Sequence, residues 1–346
     1  MIPFPARFSS LVTSPPSSAV LAAYGFAGAA AVYVPGGLIN DTFIATAGDG
    51  RRAVVQRLHP VFGAEVHFDI DAVTAHVAGK GLATPRLLRA ADGALWVEAD
   101  GVVWRAMSYV DGDTVHTCSD PRQAEAGFRL IAAFHRAVAD LDYEFRFHRA
   151  GVHDTTAHLQ RLRDVCTDEL SRDILAAASE LAPLGDLPRR ITHGDLKISN
   201  VLFADEPAPR AVCLIDLDTV GLQTMAYELG DALRSWCNPS GEDVAAPAID
   251  AAVFEAAVRG YAADGRDVLS PAEVDALVPG VETVCVELAA RFCVDAVEDR
   301  YFGWNAQRFA SRHEHNLVRA SGQLALARSV RAARPALAAI VDQYLR

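Results

Sequence analysis

Asp195, Asn200 and Asp216 are the side chains of this sequence whose types and spacing could do chemistry together. The first two belong to the string His193-Gly194-Asp195-Leu196-Lys197-Ile198-Ser199-Asn200, and the third closes the apolar run Val212-Cys213-Leu214-Ile215. Phosphoryl transfer requires a carboxylate that orients an attacking hydroxyl and takes its proton, oxygen ligands for magnesium, and a cation beside the moving group. In that reading Asp195 is the catalytic base and Lys197 neutralises the transferring phosphoryl group. Asn200 and Asp216 hold the metal, since magnesium takes few protein ligands and completes its shell from phosphate and water. His193 reads as structural, holding the loop by hydrogen bonds. A lone H-G-D is as well explained by a turn with solvated carboxylates; the full string, with strand-like runs on both sides, is what favours a site.

Local patterns predict the elements that must position these groups. Strands over 201–203 and 211–215, joined by the turn-rich Asp205-Glu206-Pro207, form a hairpin that returns Asp216 to the side of Asn200. Upstream, residues 31–110 alternate short β-rich runs with glycine turns: a strand at 31–34, its partner at 39–46, the hairpin signal Asp49-Gly50, and a strand at 52–58. A helix over 64–78 follows, with Val66, Ile70, Val73 and Val77 spaced by three and four. Two turns, Asp92-Gly93 and Asp100-Gly101, divide 85–110 into further strands. Beyond Gly112 the pattern turns helical, with helices expected near 121–141, 155–182, 224–236, 246–263, 281–302, 313–330 and 335–345. The expectation is therefore an α+β protein of two lobes: residues 1–110, an antiparallel β-rich lobe covering a nucleotide, and 111–346, mainly helical. The hinge falls near 108–114, the catalytic loop at 191–200 and the metal segment at 211–219.

The nucleotide side is less marked. No G-x-x-x-x-G-K-[ST] is present, which excludes a P-loop, and no full G-x-G-x-x-G. Gly36-Gly37 is the candidate phosphate-covering turn, with a plain hairpin as the alternative. Arg57 on the third strand is the candidate contact to the α/β-phosphates, since a guanidinium is a forked donor; an exposed strand arginine is the alternative. Glu65, Asp69 and Asp71 on the following helix are candidates for its carboxylate partner. The adenine is expected against the backbone of Met107, Tyr109 and Val110.

Composition bounds the rest. At 346 residues, 51% apolar and 22% charged, the chain suits two lobes with a sizeable core. A net charge of −12 argues against nucleic acid as the main partner. The six cysteines are scattered with no C-x-x-C, which fits buried thiols in a reducing cytoplasm. The apolar stretch Ser18–Val34 lacks a basic leader and is broken by Gly25 and Gly28. It reads as a short helix capped at Ser17 or Ser18 and ended near Gly25, then a strand. A cytoplasmic protein without membrane, nucleic-acid or protein partners is expected.

The catalytic string resembles that of the aminoglycoside phosphotransferase and choline kinase superfamily, in which H-G-D-x-x-x-x-N replaces the H-R-D-x-x-x-x-N of protein kinases. Ile215-Asp216-Leu217-Asp218 resembles its I-D-x-[DE] magnesium segment. Within that superfamily the sequence is most similar to bacterial N-acetylhexosamine 1-kinases. The likeness rests on Gly37-Leu38-Ile39-Asn40-Asp41-Thr42-Phe43, Val55-Gln56-Arg57-Leu58, Gly230-Asp231-Ala232-Leu233-Arg234 and Glu314-His315-Asn316-Leu317-Val318-Arg319 together with the catalytic segments. The resemblance implies a protein-kinase-like two-lobed fold, ATP and Mg2+ as cofactors, and a sugar whose anomeric hydroxyl, oriented by Asp195, attacks ATP to give the sugar 1-phosphate. It places sugar contacts at Asp41 and Arg291. Arg291, Asp295 and Asp299 share a helical face, for which a solvated face with an Arg291–Asp295 ion pair is the alternative. Tyr301 and Trp304 could stack on a sugar or pack in the core. The 315–319 segment braces the site or touches the sugar, Asp231 ties helices to the catalytic loop, and Asp218 stands near the metal. Two other readings remain: another small acceptor, such as an aminoglycoside or choline-like amine, and a nucleotide-binding pseudokinase. Retention of Asp195, Asn200 and Asp216 together argues against the last.

Overall fold

Short runs of alternating apolar residues, punctuated by glycine turns, build the sheet of the first unit. The computed structural model describes residues 14–35, 40–148, 151–206 and 208–346; the expected phosphate-covering turn, Gly36-Gly37, lies outside them. The first unit comprises 1–111 and 141–148, the second 112–140 and 149–346.

In the first unit helix α1 (Ser18–Ala23) precedes strands β1 (Ala30–Val34), β2 (Asp41–Thr46) and β3 (Arg52–Arg57). Helix α2 (Val66–Gly79), β4 (Val97–Ala99) and β5 (Val102–Ser108) follow. Ser17 caps α1, and Gly25 ends it with φ 76°, as the sequence predicts. The strands form one antiparallel sheet in the order β1-β2-β3-β5-β4. Gly50, at φ 86°, permits the tight β2–β3 turn, which sets Asp41 opposite Arg57. Inward side chains Phe43 and Ala45, Ala53 and Val55, Trp104 and Ala106 meet Val20, Leu21, Tyr24 and Phe26 in one core. The predicted α2 stripe of Val66, Ile70, Val73 and Val77 is buried.

Residues 141–148, which the expected boundary assigns to the helical lobe, belong to the first unit because of Asp69. This buried carboxylate accepts the Tyr143 hydroxyl and the Arg146 and Phe147 amides, each at 2.9 Å. A buried carboxylate is costly unless its lone pairs are met, and this segment meets them.

The second unit runs β6 (Asp113–Thr114), α3 (Pro121–Val138), α4 (Thr155–Val165), α5 (Glu169–Ser179), β7 (Arg189–Thr192), β8 (Val201–Glu206), β9 (Ala208–Leu214), β10 (Gly221–Thr224), α6 (Met225–Trp236), α7 (Ala251–Gly265), α8 (Pro271–Asp275), α9 (Leu277–Glu298) and α10 (Arg312–Leu345). The β8–β9 hairpin carries β6 on its edge, and β7 pairs with β10. Three expectations are corrected. The helix expected over 155–182 is two, because Asp168 accepts the Ser171 amide at 2.7 Å and starts α5 afresh. The two helices expected on either side of Pro335 are one, α10. Glu282 of α9 grips Arg331 and Arg334, and Val330, Leu337 and Val341 are buried on both sides of the proline. The helix expected over 281–302 runs 277–298 and stops at Asp299, whose φ of 52° is left-handed. Strands β6, β7 and β10 are too short for a periodic signal.

All six cysteines are free and buried. Among the described residues no helix is long and apolar enough to cross a membrane.

Helices α3 and α7 approach through glycines. A methyl group at Gly260 would stand 2.2 Å from the Glu125 carbonyl oxygen, which belongs to backbone and cannot swing aside. Gly260→Ala is therefore expected to lower stability by about 1–3 kcal/mol, read as a lowered urea midpoint. Gly303→Ala, with open space around it, is the neutral control. Equal midpoints for the two variants would contradict the close packing of α3 on α7.

Candidate active site

The catalytic string leaves β7 at Thr192 and enters β8 at Val201, with a single 3-10 turn at Ile198–Asn200. Two buried groups shape it. Glu228 of α6 accepts the backbone N–H of His193 at 2.7 Å and of Gly194 at 2.9 Å, and His135 of α3 approaches it at 3.2 Å. Burial alone pushes the Glu228 carboxyl up, but His135, His193 and the amide donors outweigh it, so its pKa lies below the usual glutamate range. His193 is itself buried. Its Nδ1 accepts the Asp195 N–H at 3.4 Å, which assigns the proton to Nε2, 3.0 Å from the Ile215 carbonyl. Burial lowers its pKa, so it is a neutral link between the catalytic and metal segments, in keeping with the structural reading.

Gly194 sits at φ 82°, and a Cβ there would lie 2.5 Å from the Thr219 carbonyl oxygen. Thr219 also donates its hydroxyl to the His193 carbonyl at 2.9 Å. The two segments touch so closely at this point that only glycine fits.

Around Asp195 the polar groups converge. Lys197 Nζ lies 2.6 Å from Asp195 Oδ2, and Asn200 Nδ2 donates to the Asp195 carbonyl at 2.8 Å and to Oδ2 at 3.1 Å. Burial pulls the Lys197 ammonium down, but Asp195, Asp216 and Asp231 together outweigh it and its pKa lies above the ordinary lysine value. The Ile215 amide donates to the Asn200 carbonyl at 2.9 Å, which sets Asp216 beside Asn200 at the mouth of the β8–β9 hairpin. Asp216 has φ 65°, a left-handed conformation that costs energy for any residue but glycine. Asn200 spends its amide hydrogens on Asp195, so its oxygen remains as the amide's acceptor. Two hard oxygen donors, one charged and one neutral, suit magnesium with phosphate and water completing the shell.

The other expected residues are placed as follows. Arg57 pairs with Asp41 across the β2–β3 ladder at 3.5 Å, half-exposed. Two of the three carboxylates expected as its partner are engaged elsewhere, Asp69 with 143–147 and Asp71 with Arg86 and Arg89. Met107 lies on β5 opposite Val54, and Tyr109 and Val110 follow the end of that strand, outside its ladder. The Arg52 guanidinium lies 4.0 Å over the Tyr109 ring. Asp231 pairs with Arg234 at 2.8 Å, so it is Glu228, not Asp231, that bonds the catalytic loop backbone. Arg291 faces Glu287 at 3.7 Å and not Asp295, and its guanidinium lies 5.5 Å over the Tyr301 ring. Asp295 is buried and bonded to the turn after α9, so it is not part of a solvated face. Asp299 lies at the helix end and pairs with Arg312.

Sequence reasoning missed Glu228, Thr219 and His153. His153, at φ 57°, stacks on Tyr227 with centroids 4.9 Å apart and reaches buried Glu287 at 3.1 Å. The available signal for Glu228 is a carboxylate inside the apolar stretch Met225–Leu229.

A five-stranded antiparallel sheet with one long helix, and a mainly helical unit holding a hairpin-borne D…N…D constellation, define a protein of the kinase-like fold. The chain belongs to the phosphotransferase enzyme family (APH), whose model matches residues 31–268. A homoserine kinase from Sinorhizobium fredii (strain NBRC 101917 / NGR234) is 31% identical over 173 residues, covering 47% of this chain and 50% of that protein. The chain thus spans about half the length of the curated relatives it matches. Among solved structures, the aminoglycoside phosphotransferase from Alicyclobacillus acidocaldarius has a TM-score of 0.63 at 18% identity, covering 94% of this chain and 98% of that one. The amicoumacin kinase hAmiN, in complex with AMP-PNP, Ca2+ and Ami, has a TM-score of 0.61 at 11% identity, covering 85% and 87%.

Glu228→Gln keeps one acceptor oxygen and turns an NH2 group toward the other of the two backbone donors. At neutral pH a loss of about 1–3 kcal/mol is expected. Because the native carboxyl is held below its usual range, its stabilisation is complete above that range and lost as pH falls through it. The gap between wild type and variant is therefore expected to close toward acid in denaturation curves taken across pH. A gap that widens toward acid would contradict an ionised Glu228.

Proposed function

We propose that the chain is an ATP- and magnesium-dependent kinase of a small hydroxylated molecule, and that its acceptor is a sugar phosphorylated at the anomeric hydroxyl. The observation that carries the kinase reading is the convergence of Asp195, Lys197 and Asn200 within hydrogen-bonding distance, with Asp216 held in a left-handed turn beside them. Asp195 offers Oδ2 to Lys197 and Asn200, and Oδ1 is assigned to the acceptor hydroxyl, which it orients and deprotonates. Lys197, kept protonated by three carboxylates, stabilises charge on the phosphoryl group. Asn200 and Asp216 would hold magnesium, which would supply positive charge to offset that of the phosphates. Arg57, Met107, Tyr109 and Val110 are the proposed nucleotide contacts of the first unit, and Asp41, through its pair with Arg57, a proposed acceptor contact.

The sugar reading is supported by the turn after α9. Tyr301 and Trp304 are 39% and 37% exposed, and Arg291 lies against Tyr301. Exposed rings with a forked donor suit the faces and hydroxyls of a sugar. A second reading keeps the chemistry and takes homoserine, on the 31% identity with a homoserine kinase.

Asp195→Ala is expected to lower kcat about 10²–10⁴-fold with nucleotide affinity unchanged by calorimetry; turnover like wild type would sink the mechanism. ADP release over N-acetylhexosamines, homoserine, aminoglycosides and choline separates the acceptors. The sugar reading expects turnover with an N-acetylhexosamine and an anomeric phosphate signal in phosphorus NMR, whereas turnover with homoserine alone replaces it with the second.

A further inference from the structure

The 300–305 turn is held from below by a set of bonds that the reading above does not use. Asp295, on the last turn of α9, is buried, and its carboxylate accepts three successive backbone N–H groups. Arg300 and Tyr301 donate to Oδ1 at 2.9 and 2.7 Å, and Phe302 donates to Oδ2 at 2.9 Å. Asn316 of α10, fully buried, adds its Nδ2 to Oδ2 at 2.9 Å. The chain is thereby turned back on itself directly after the left-handed Asp299. Phe302 is driven inward onto Phe292, with centroids 4.3 Å apart, while the preceding Tyr301 stays outward.

A second set of bonds fixes the far side of the same turn. Arg319 donates to the Gly303 carbonyl at 2.8 Å and to Asp243 at 3.0 Å. His315 Nδ1 accepts the Asn305 amide at 3.2 Å, which puts its proton on Nε2, 2.6 Å from the same Asp243 oxygen. Five consecutive or near-consecutive backbone groups, from residue 300 to 305, are thus met by buried or half-buried side chains of α9 and α10. Ordinary surface turns satisfy such groups with water. A turn whose only task is to join two helices needs no such array, whereas a turn that must present a ring and a guanidinium in one pose does.

We propose that Asp295 and Arg319 are positioning residues for the acceptor. They set the backbone of the 300–305 turn so that Tyr301 and Arg291 form one prebuilt binding face. His315, Asn316 and Asp243 complete the frame without touching the acceptor. The inference rests on the proposed role of Tyr301 in acceptor binding and goes beyond it by assigning the groups that make that role possible.

The test is steady-state kinetics on the full chain with the best acceptor from the panel. Asp295→Asn keeps the volume and removes the charge that three amides share. The expected result is an acceptor KM raised about ten- to a hundredfold, with kcat, the KM for ATP and acceptor-independent ATP hydrolysis each within about threefold of wild type. Arg319→Gln, nearer the surface, is expected to shift the acceptor KM in the same direction and less, and Arg319→Lys to recover part of it. This second pair decides the matter if Asp295→Asn does not fold. Tyr301→Ala separates the two layers of the claim. If it leaves the acceptor KM unchanged, the acceptor does not use this turn and the underlying reading falls. If Tyr301→Ala raises that KM while the Asp295 and Arg319 variants leave it within twofold, the reading stands and the positioning role is overturned. A parallel loss of kcat, both KM values and thermal stability would mark a purely structural role and overturn it as well.

Discussion

One buried carboxylate conditions the rest of the second unit. Glu228 takes two successive backbone N–H groups of the catalytic loop, and without it those donors would stand unmet in the interior. Its position on α6 ties the loop to that helix, and its contact with His135 ties the loop to α3. His193 then passes the constraint on to Ile215, and Thr219 passes it back to His193. The loop and the metal segment are therefore one rigid object, although they are separated in sequence by the whole β8–β9 hairpin. Preorganisation of this kind is what electrostatic stabilisation of a transferring group demands, because the dipoles must not reorganise when charge moves.

The same device recurs at two other places in the chain. Asp69 receives three donors from 143–147, and Asp295 receives three from 300–302. In each case a buried carboxylate on a helix fixes an irregular segment by meeting its backbone N–H groups. Buried charge is expensive by itself, so each such carboxylate is met by donors, as Glu282 is by Arg331 and Arg334 between α9 and α10. Elsewhere the unit relies on ordinary packing, as where Glycines 127 and 260 let α3, α7 and α6 come into contact.

How much of this the sequence discloses depends on distance along the chain. The H-G-D…N string and Asp216 were legible because the groups lie in one loop and one hairpin, where local pattern alone predicts adjacency. The Arg57–Asp41 pair was also within reach, since the Asp49-Gly50 turn sets the register that opposes them, yet the carboxylates of the following helix drew the assignment away. Glu228 showed only as a carboxylate in an apolar stretch and its role was not legible, because its partners are backbone amides more than thirty residues earlier, and an amide leaves no mark in a residue code. Asp295 reads in the sequence as part of a polar helical face, turned to a sugar or to solvent, and the structure buries it instead. Its neighbours on α9 are buried nearly all round, so three- and four-residue spacing of polar groups marked internal bonding and not exposure. The Pro335 break failed for a related reason: the Glu282 grip before the proline and the burial of Leu337 and Val341 after it outweighed its local preference.

The crowding at Gly194 carries a consequence for control. Protein kinases place an arginine at the corresponding position of H-R-D, and a guanidinium beside the catalytic aspartate is the group that a phosphorylated activation loop can engage. Here the Thr219 carbonyl occupies the space where even the first carbon of a side chain would go. No phosphate-reading switch can be built at this point of the chain. The loop is held by its own hydrogen bonds, so the covalent on–off logic of signalling enzymes has no foothold at this position.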